Sequence, residues 1–217
     1  TGIDGGPEYG GGSGRMAECV GMLDMLASMK EQPIFNSENH IISDGEERYE
    51  PNVAKWCANW IWNGALHGTS ASVIWVWERS YTTDYLIGSI INRPDAIAAV
   101  GHASLNLNRL VNEVTAFQNE IPEVGILYSF TPRLYSSQYY GTLVKAYTAL
   151  SYNGQHIGFV TENQINDEVK KGLEQYKILV LPEVNNLSAA TLANIRKWQE
   201  NGGVVVTIGR KDNLLKA

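Results

Sequence analysis

Four short apolar runs in the second half of the chain, at residues 124–128, 156–160, 178–181 and 204–208, show no alternation of polar and apolar residues. A strand with one wet face alternates with a period of two. A continuous run of this kind is expected to be buried on both faces, as a parallel strand lies between two layers of helices. The stretches between the runs have helical spacing. Residues 136–152 are closed by Asn153-Gly154, and residues 163–174 follow the second run. Residues 188–200 turn Leu192, Ile195 and Trp198 to one side before Gly202-Gly203 stop them. The short connections suit right-handed βαβ units. Residues 121–217 therefore read β-α-β-α-β-α-β, an open doubly wound sheet able to fold alone.

Residues 1–120 read α-β-α-β-α. Six glycines between positions 5 and 14 form a flexible lead-in, and the opening is expected to be cut from something longer. Met16, Cys19, Val20, Leu23, Leu26 and Met29 then repeat with helical spacing. Pro33-Ile-Phe-Asn-Ser37 predicts a short buried strand, with Glu38-Asn39-His40 at its carboxyl end. An acidic loop at 43–50 leads to a helix that starts at Pro51, where the missing N–H costs nothing. A second strand is expected at 72–77. After a polar and aromatic loop, Asp95 is expected to cap a long helix with Ile97, Val100, Leu107, Leu110, Val111, Val114 and Phe117 on one stripe. Two parallel strands with three helices leave both sheet edges bare, so this half predicts the tail of a larger α/β structure.

Composition excludes several functions. Seventeen Lys and Arg against 23 Asp and Glu give a net charge of −6 with no basic cluster, which argues against nucleic-acid binding. No apolar run approaches the roughly 20 residues of a membrane span. Cys19 and Cys57 are read as small buried thiols. The four His stand far apart without zinc-ligand spacing, so no metal is expected. Five of the six Trp fall between Trp56 and Trp77, as core packing or as a platform for a flat ligand such as a sugar ring.

The strings Pro33-Ile-Phe-Asn-Ser-Glu38-Asn-His-Ile-Ile and Val73-Ile-Trp-Val-Trp77-Glu78 resemble the seventh and eighth strands of a (β/α)₈ barrel glycosidase. The region from Pro122 onward resembles the trimerisation domain of β-galactosidases of glycoside hydrolase family 42. The resemblance implies an α/β chain in two parts. Residues 1–120 would be the last two β/α units of a partial barrel. Residues 121–217 would be a doubly wound parallel domain, flavodoxin-like or like a class I glutamine amidotransferase. It implies a retaining mechanism, which needs two carboxyl groups about 5–5.5 Å apart. Glu38 would be the nucleophile, at the carboxyl end of a strand where such barrels hold their sites. Trp77 would lie under the sugar, with Asn39, His40 and Glu78 as further substrate contacts. The acid/base belongs to a strand that no part of this sequence matches, so the isolated chain is expected to be inactive.

The resemblance implies a carbohydrate substrate of the galactoside type, no cofactor, and a homotrimer. Tyr135, Tyr139 and Tyr140 are expected at its surface. A cytoplasmic location is favoured. Glutaminase chemistry is excluded by the lack of Cys in Leu181-Pro182-Glu183-Val184-Asn185-Asn186, and Pro132 with flanking aromatics suits an FMN phosphate loop poorly. The competing reading is a non-catalytic α/β oligomerisation or ligand-binding domain.

Overall fold

The computed structural model describes residues 12–29, 32–41, 52–75, 77, 90–167 and 172–209. The chain divides into two compact units, Thr1–Ala27 with Glu31–Glu120 and Ser28–Lys30 with Ile121–Ala217. The acidic loop at 43–50, Glu78 and Arg79 lie outside the described residues.

The first unit runs α1 (Gly12–Met29), β1 (Ile34–His40), α2 (Val53–Leu66), β2 (Thr69–Trp75), one 3-10 turn at Ile90–Asn92, α3 (Pro94–Arg109) and α4 (Val111–Gln118). β1 and β2 pair in parallel as a two-stranded sheet. In α2, Val53, Cys57, Trp60 and Gly64 recur every three or four residues and form its buried stripe.

Five sequence expectations change here. β1 continues through Glu38-Asn39-His40 rather than ending before them, and β2 starts earlier than expected and stops at Trp75. The long helix breaks at Leu110, whose φ of −106° and ψ of 24° end α3 and start α4. Asp95 does not cap α3. It lies in the first helical turn, next to Pro94, and Arg93 grips its carboxylate through Nε (3.0 Å) and a terminal nitrogen (2.7 Å). The expected apolar stripe is not a core stripe, because Ala96 and Ala103 are buried in α3 while Leu110, Val111 and Phe117 are exposed.

The second unit runs β3 (Val124–Tyr128), α5 (Phe130–Tyr135), α6 (Tyr139–Tyr152), β4 (Ile157–Thr161), α7 (Glu162–Asn166), β5 (Ile178–Pro182), α8 (Ala189–Glu200) and β6 (Val204–Ile208). All four strands are parallel, in the order β4-β3-β5-β6. Leu127, Val160, Ile165, Leu173, Tyr176, Leu179, Leu181 and Ile195 make the core. The Tyr176 ring lies across two adjacent strands where glycines leave room. A β-carbon on Gly125 would stand 2.9 Å from the ring, and one on Gly158 would stand 2.6 Å from its hydroxyl. That hydroxyl donates to the Phe159 carbonyl at 3.0 Å.

Three differences matter in this unit. The helix expected at 163–174 is the short α7, closed at its start by a reciprocal cap between Thr161 and Gln164. β6 is not buried on both faces, since Val204, Val206 and Ile208 are exposed on the sheet's outer strand. Tyr139 is not a surface residue. It is fully buried, accepting the Ser129 N–H at 2.8 Å and donating to the Leu127 carbonyl at 3.0 Å. Burial pushes its phenol well above the usual tyrosine range. Tyr135, by contrast, is 80% exposed.

Candidate active site

β1 and β2 do not run in simple register. Asn36 pairs with Ser72, but the next pair is Asn39 with Ile74, so β1 holds one residue more than its partner between them. That bulge carries Ser37 and Glu38. It shifts the alternation of β1 by one, so that Ile34, Asn36 and Asn39 are all buried. Bulges of this kind re-aim side chains near the end of a strand.

The buried side of β1 faces α2. Asn39 is held there on both ends of its amide: Nδ2 donates to Ser72 Oγ at 2.7 Å, and Oδ1 accepts the Trp60 indole N–H. Asn36 Oδ1 accepts the Glu38 backbone N–H at 3.3 Å. Beyond the strand, Ile41 is buried and its carbonyl receives the Cys57 thiol at 3.5 Å. A cavity of about 550 Å³ opens on this side, with Asn36, Asn39, Trp60, Ser72, Leu107 and Gln118 in its wall.

Glu38 and His40 flank buried Asn39 in the strand and project to its other side. The Glu38 side chain is 35% exposed, and its Oε1 lies 3.8 Å from His40 Nε2. His40 pairs in register with Trp75 and stacks on it, with ring centroids 5.7 Å apart and planes 24° from parallel. Phe35 and Val73 on this side are exposed as well. The carboxyl end of the parallel pair thus brings an acid, an imidazole and an indole together beside exposed Phe35 and Val73.

Of the residues singled out from the sequence, Glu38 and His40 meet. Asn39 is turned away into the framework. Trp77 stands beyond the end of β2, 58% exposed, where its carbonyl accepts the Ile91 N–H at 3.0 Å. Glu78 lies outside the described residues. Trp75 was not singled out, although it is the indole that touches His40. The signal was the expected strand itself: in a strand over 72–77, Trp75 and Trp77, two apart, share one side. Neither strand supplies a second carboxylate, Glu38 being the sole acid in β1 and β2. Among the described residues no cluster of three His, Cys, Asp or Glu is arranged to hold a metal ion. None of the described helices is long and apolar enough to cross a membrane.

The strand ends of the second unit hold a different cluster. Glu162 accepts from Ser129 Oγ through Oε1 and from Thr191 Oγ1 (3.1 Å) and the Ser188 N–H (3.4 Å) through Oε2. This carboxylate ties β3, β4 and the start of α8 together, and it spends the Ser129 hydroxyl that a phosphate loop would need. After β5, Glu183 has a φ of 43°, a strained value for a residue with a β-carbon.

No family model and no curated protein matches the chain. Solved structures do. An apo exo-carrageenase of glycoside hydrolase family 42 from Bacteroides ovatus superposes with a TM-score of 0.74 at 20% identity, over 85% of this chain and 26% of its own. A β-galactosidase from the Antarctic haloarchaeon Halorubrum lacusprofundi gives 0.65 at 15% identity, over 96% of this chain and 33% of its own. An exo-β-1,4-mannosidase from Opitutaceae bacterium strain TAV5 gives 0.59 at 13%, over 88% and 36%. The chain spans only about a quarter to a third of these neighbours. Its mixed α/β architecture with parallel sheets has the fold of the corresponding part of a glycoside hydrolase.

Proposed function

We propose that the chain is the C-terminal part of a retaining glycoside hydrolase of the family 42, β-galactosidase type. Residues 1–120 are the last two β/α units of its barrel. Residues 121–217 are a flavodoxin-like, amidotransferase-like domain that builds a trimer. Glu38 is the nucleophile. The observation that carries this reading is a half-buried carboxylate at the carboxyl end of a parallel strand, on the face opposite buried Asn39.

Ionised Glu38 attacks the anomeric carbon as the glycosidic C–O bond breaks. The departing oxygen takes a proton from a second carboxyl group that β1 and β2 do not contain. Water, deprotonated by that same group, then attacks the anomeric carbon, and Glu38 leaves as a carboxylate. Trp75 and Trp77 offer apolar faces to the C–H side of the sugar, and His40 and Glu78 offer polar contacts. The reading calls for no cofactor and for a galactoside-like substrate, and it favours the cytoplasm. Because the acid/base of this family belongs to a barrel strand that no part of this sequence matches, the chain alone does not turn over. Exposed Phe130, Leu134 and Tyr135 on and around α5 suit a contact between copies.

A 2-deoxy-2-fluorogalactoside carrying a good leaving group tests the reading. In the longer protein the trapped sugar is expected on the peptide containing Glu38. A label on any other carboxylate refutes the assignment. Glu38-dependent hydrolysis of a nitrophenyl galactoside by the 217-residue chain alone refutes its standing as an incomplete part. The lack of a second acid within β1 and β2 favours the other reading, a non-catalytic α/β oligomerisation or ligand-binding domain; it predicts no label under either condition and association through α5.

A further inference from the structure

We infer that His40 is a positioning residue for Glu38: its Nε2–H, aimed by the stack on Trp75, holds one carboxylate oxygen so that the other faces the substrate. This rests on the reading of Glu38 as the nucleophile, but its first test needs no sugar.

Three features of the strand pair converge on it. The bulge at Ser37–Glu38 puts the acid and the imidazole on one side, two residues apart. The parallel register places Trp75 directly beside His40, and the near-parallel rings restrict the imidazole's rotation. β2 contributes no ionisable side chain, so within these two strands His40 is the one ionisable partner of Glu38. The Nε2–Oε1 separation of 3.8 Å is longer than a hydrogen bond. A carboxylate on a two-carbon arm covers the difference by a small side-chain rotation, and such contacts commonly close only when substrate arrives. A nucleophile gains from this arrangement because an aimed donor removes a rotational freedom that attack would otherwise have to freeze.

The test uses the 217-residue chain with ¹⁵N-labelled histidine rings. His40 is expected as the Nε2–H tautomer, and Glu38→Ala is expected to move the His40 ring nitrogens while His67, His102 and His156 stay in place. A His40 spectrum unchanged by Glu38→Ala, or a settled Nδ1–H tautomer, overturns the inference, whatever the fluorosugar labels. Kinetics in the longer protein separate positioning from packing. His40→Phe keeps a ring on Trp75 but loses the donor, and is expected to slow formation of the glycosyl-enzyme roughly tenfold or more at unchanged KM. His40→Gln returns an N–H near the Nε2 position and is expected to recover most of that loss. Full speed in His40→Phe also overturns the inference. Labelling that misses Glu38 while the two side chains remain coupled in the spectra instead removes the nucleophile reading alone.

Discussion

Asn39→Ala separates a framework residue from a substrate contact. Asn39 is 4% exposed, and its amide carries two bonds, one from the Trp60 indole and one to Ser72. Truncation leaves the Trp60 N–H, on a residue 3% exposed, without its acceptor. A buried donor left unpaired costs about 1–3 kcal/mol. Ser72 is exposed, and water replaces its bond at small cost. The cavity of about 550 Å³ adjoins both Asn39 and Trp60 and admits water toward the indole, which pulls the total toward the lower half of the range. The expected loss is about 2 kcal/mol.

Urea unfolding followed by tryptophan fluorescence measures it, because five of the six Trp lie in the first unit. Trp60→Phe and the double variant complete a cycle, with an expected coupling of about 1 kcal/mol or more. A loss under about 0.5 kcal/mol for Asn39→Ala, or a cycle without coupling, shows that the amide does not brace the strand and returns Asn39 to the substrate contacts.

Further expectations concern both units. Gly158→Ala drives a methyl group into Tyr176 and Pro122, at 2.6 and 2.8 Å, and is expected to destabilise by about 1–3 kcal/mol in a denaturant series. An unchanged midpoint there refutes the packing of the Tyr176 ring over the sheet. Tyr139→Phe leaves the Ser129 N–H and the Leu127 carbonyl without the hydroxyl between them, for a loss of about 1–3 kcal/mol. Because burial raises the Tyr139 phenol, a spectroscopic titration should show it still protonated at a pH where exposed tyrosines have ionised. The hydrogen bond from Arg93 lowers the Asp95 carboxyl below its usual 3.8. Its contribution is therefore present above about pH 4 and is lost as pH falls through the lowered value. Asp95 is 44% exposed, so Asp95→Asn should cost at most about 0.5 kcal/mol at pH 7, with the gap to the parent closing at pH 2.

The strands β3, β4 and β5 were legible because burial on both faces leaves an unbroken apolar string. β6 has the same string but lies at the sheet's edge. Strand order decides edge from centre, and order is a property of the whole unit rather than of five residues. Glu38 stood out as an acid at the end of an apolar run. Its side of the strand did not, because the bulge is set by how β1 and β2 pair across the intervening residues 41–68. The stacking of Trp75 on His40 comes from the same pairing and is equally invisible in the string. Tyr139 stands close to Tyr135 and Tyr140 in a string that does not sort inside from outside; its hydroxyl is held by two backbone partners, on β3 and in the turn after it. Leu110 sits in a stripe that looks continuous, and nothing in its side chain announces that the backbone unwinds there.

The outermost strand of the second unit has one further effect. Val204-Val-Val-Thr-Ile208 pairs with β5 on one side, and among the described residues no strand pairs with the other. None of its five side chains carries the charge with which exposed sheet edges usually keep strangers away. Concentrated solutions of this protein will therefore be governed by that border, where any extended peptide finds a ready-made ladder, and a single lysine in place of Val206 is the smallest fence that would close it.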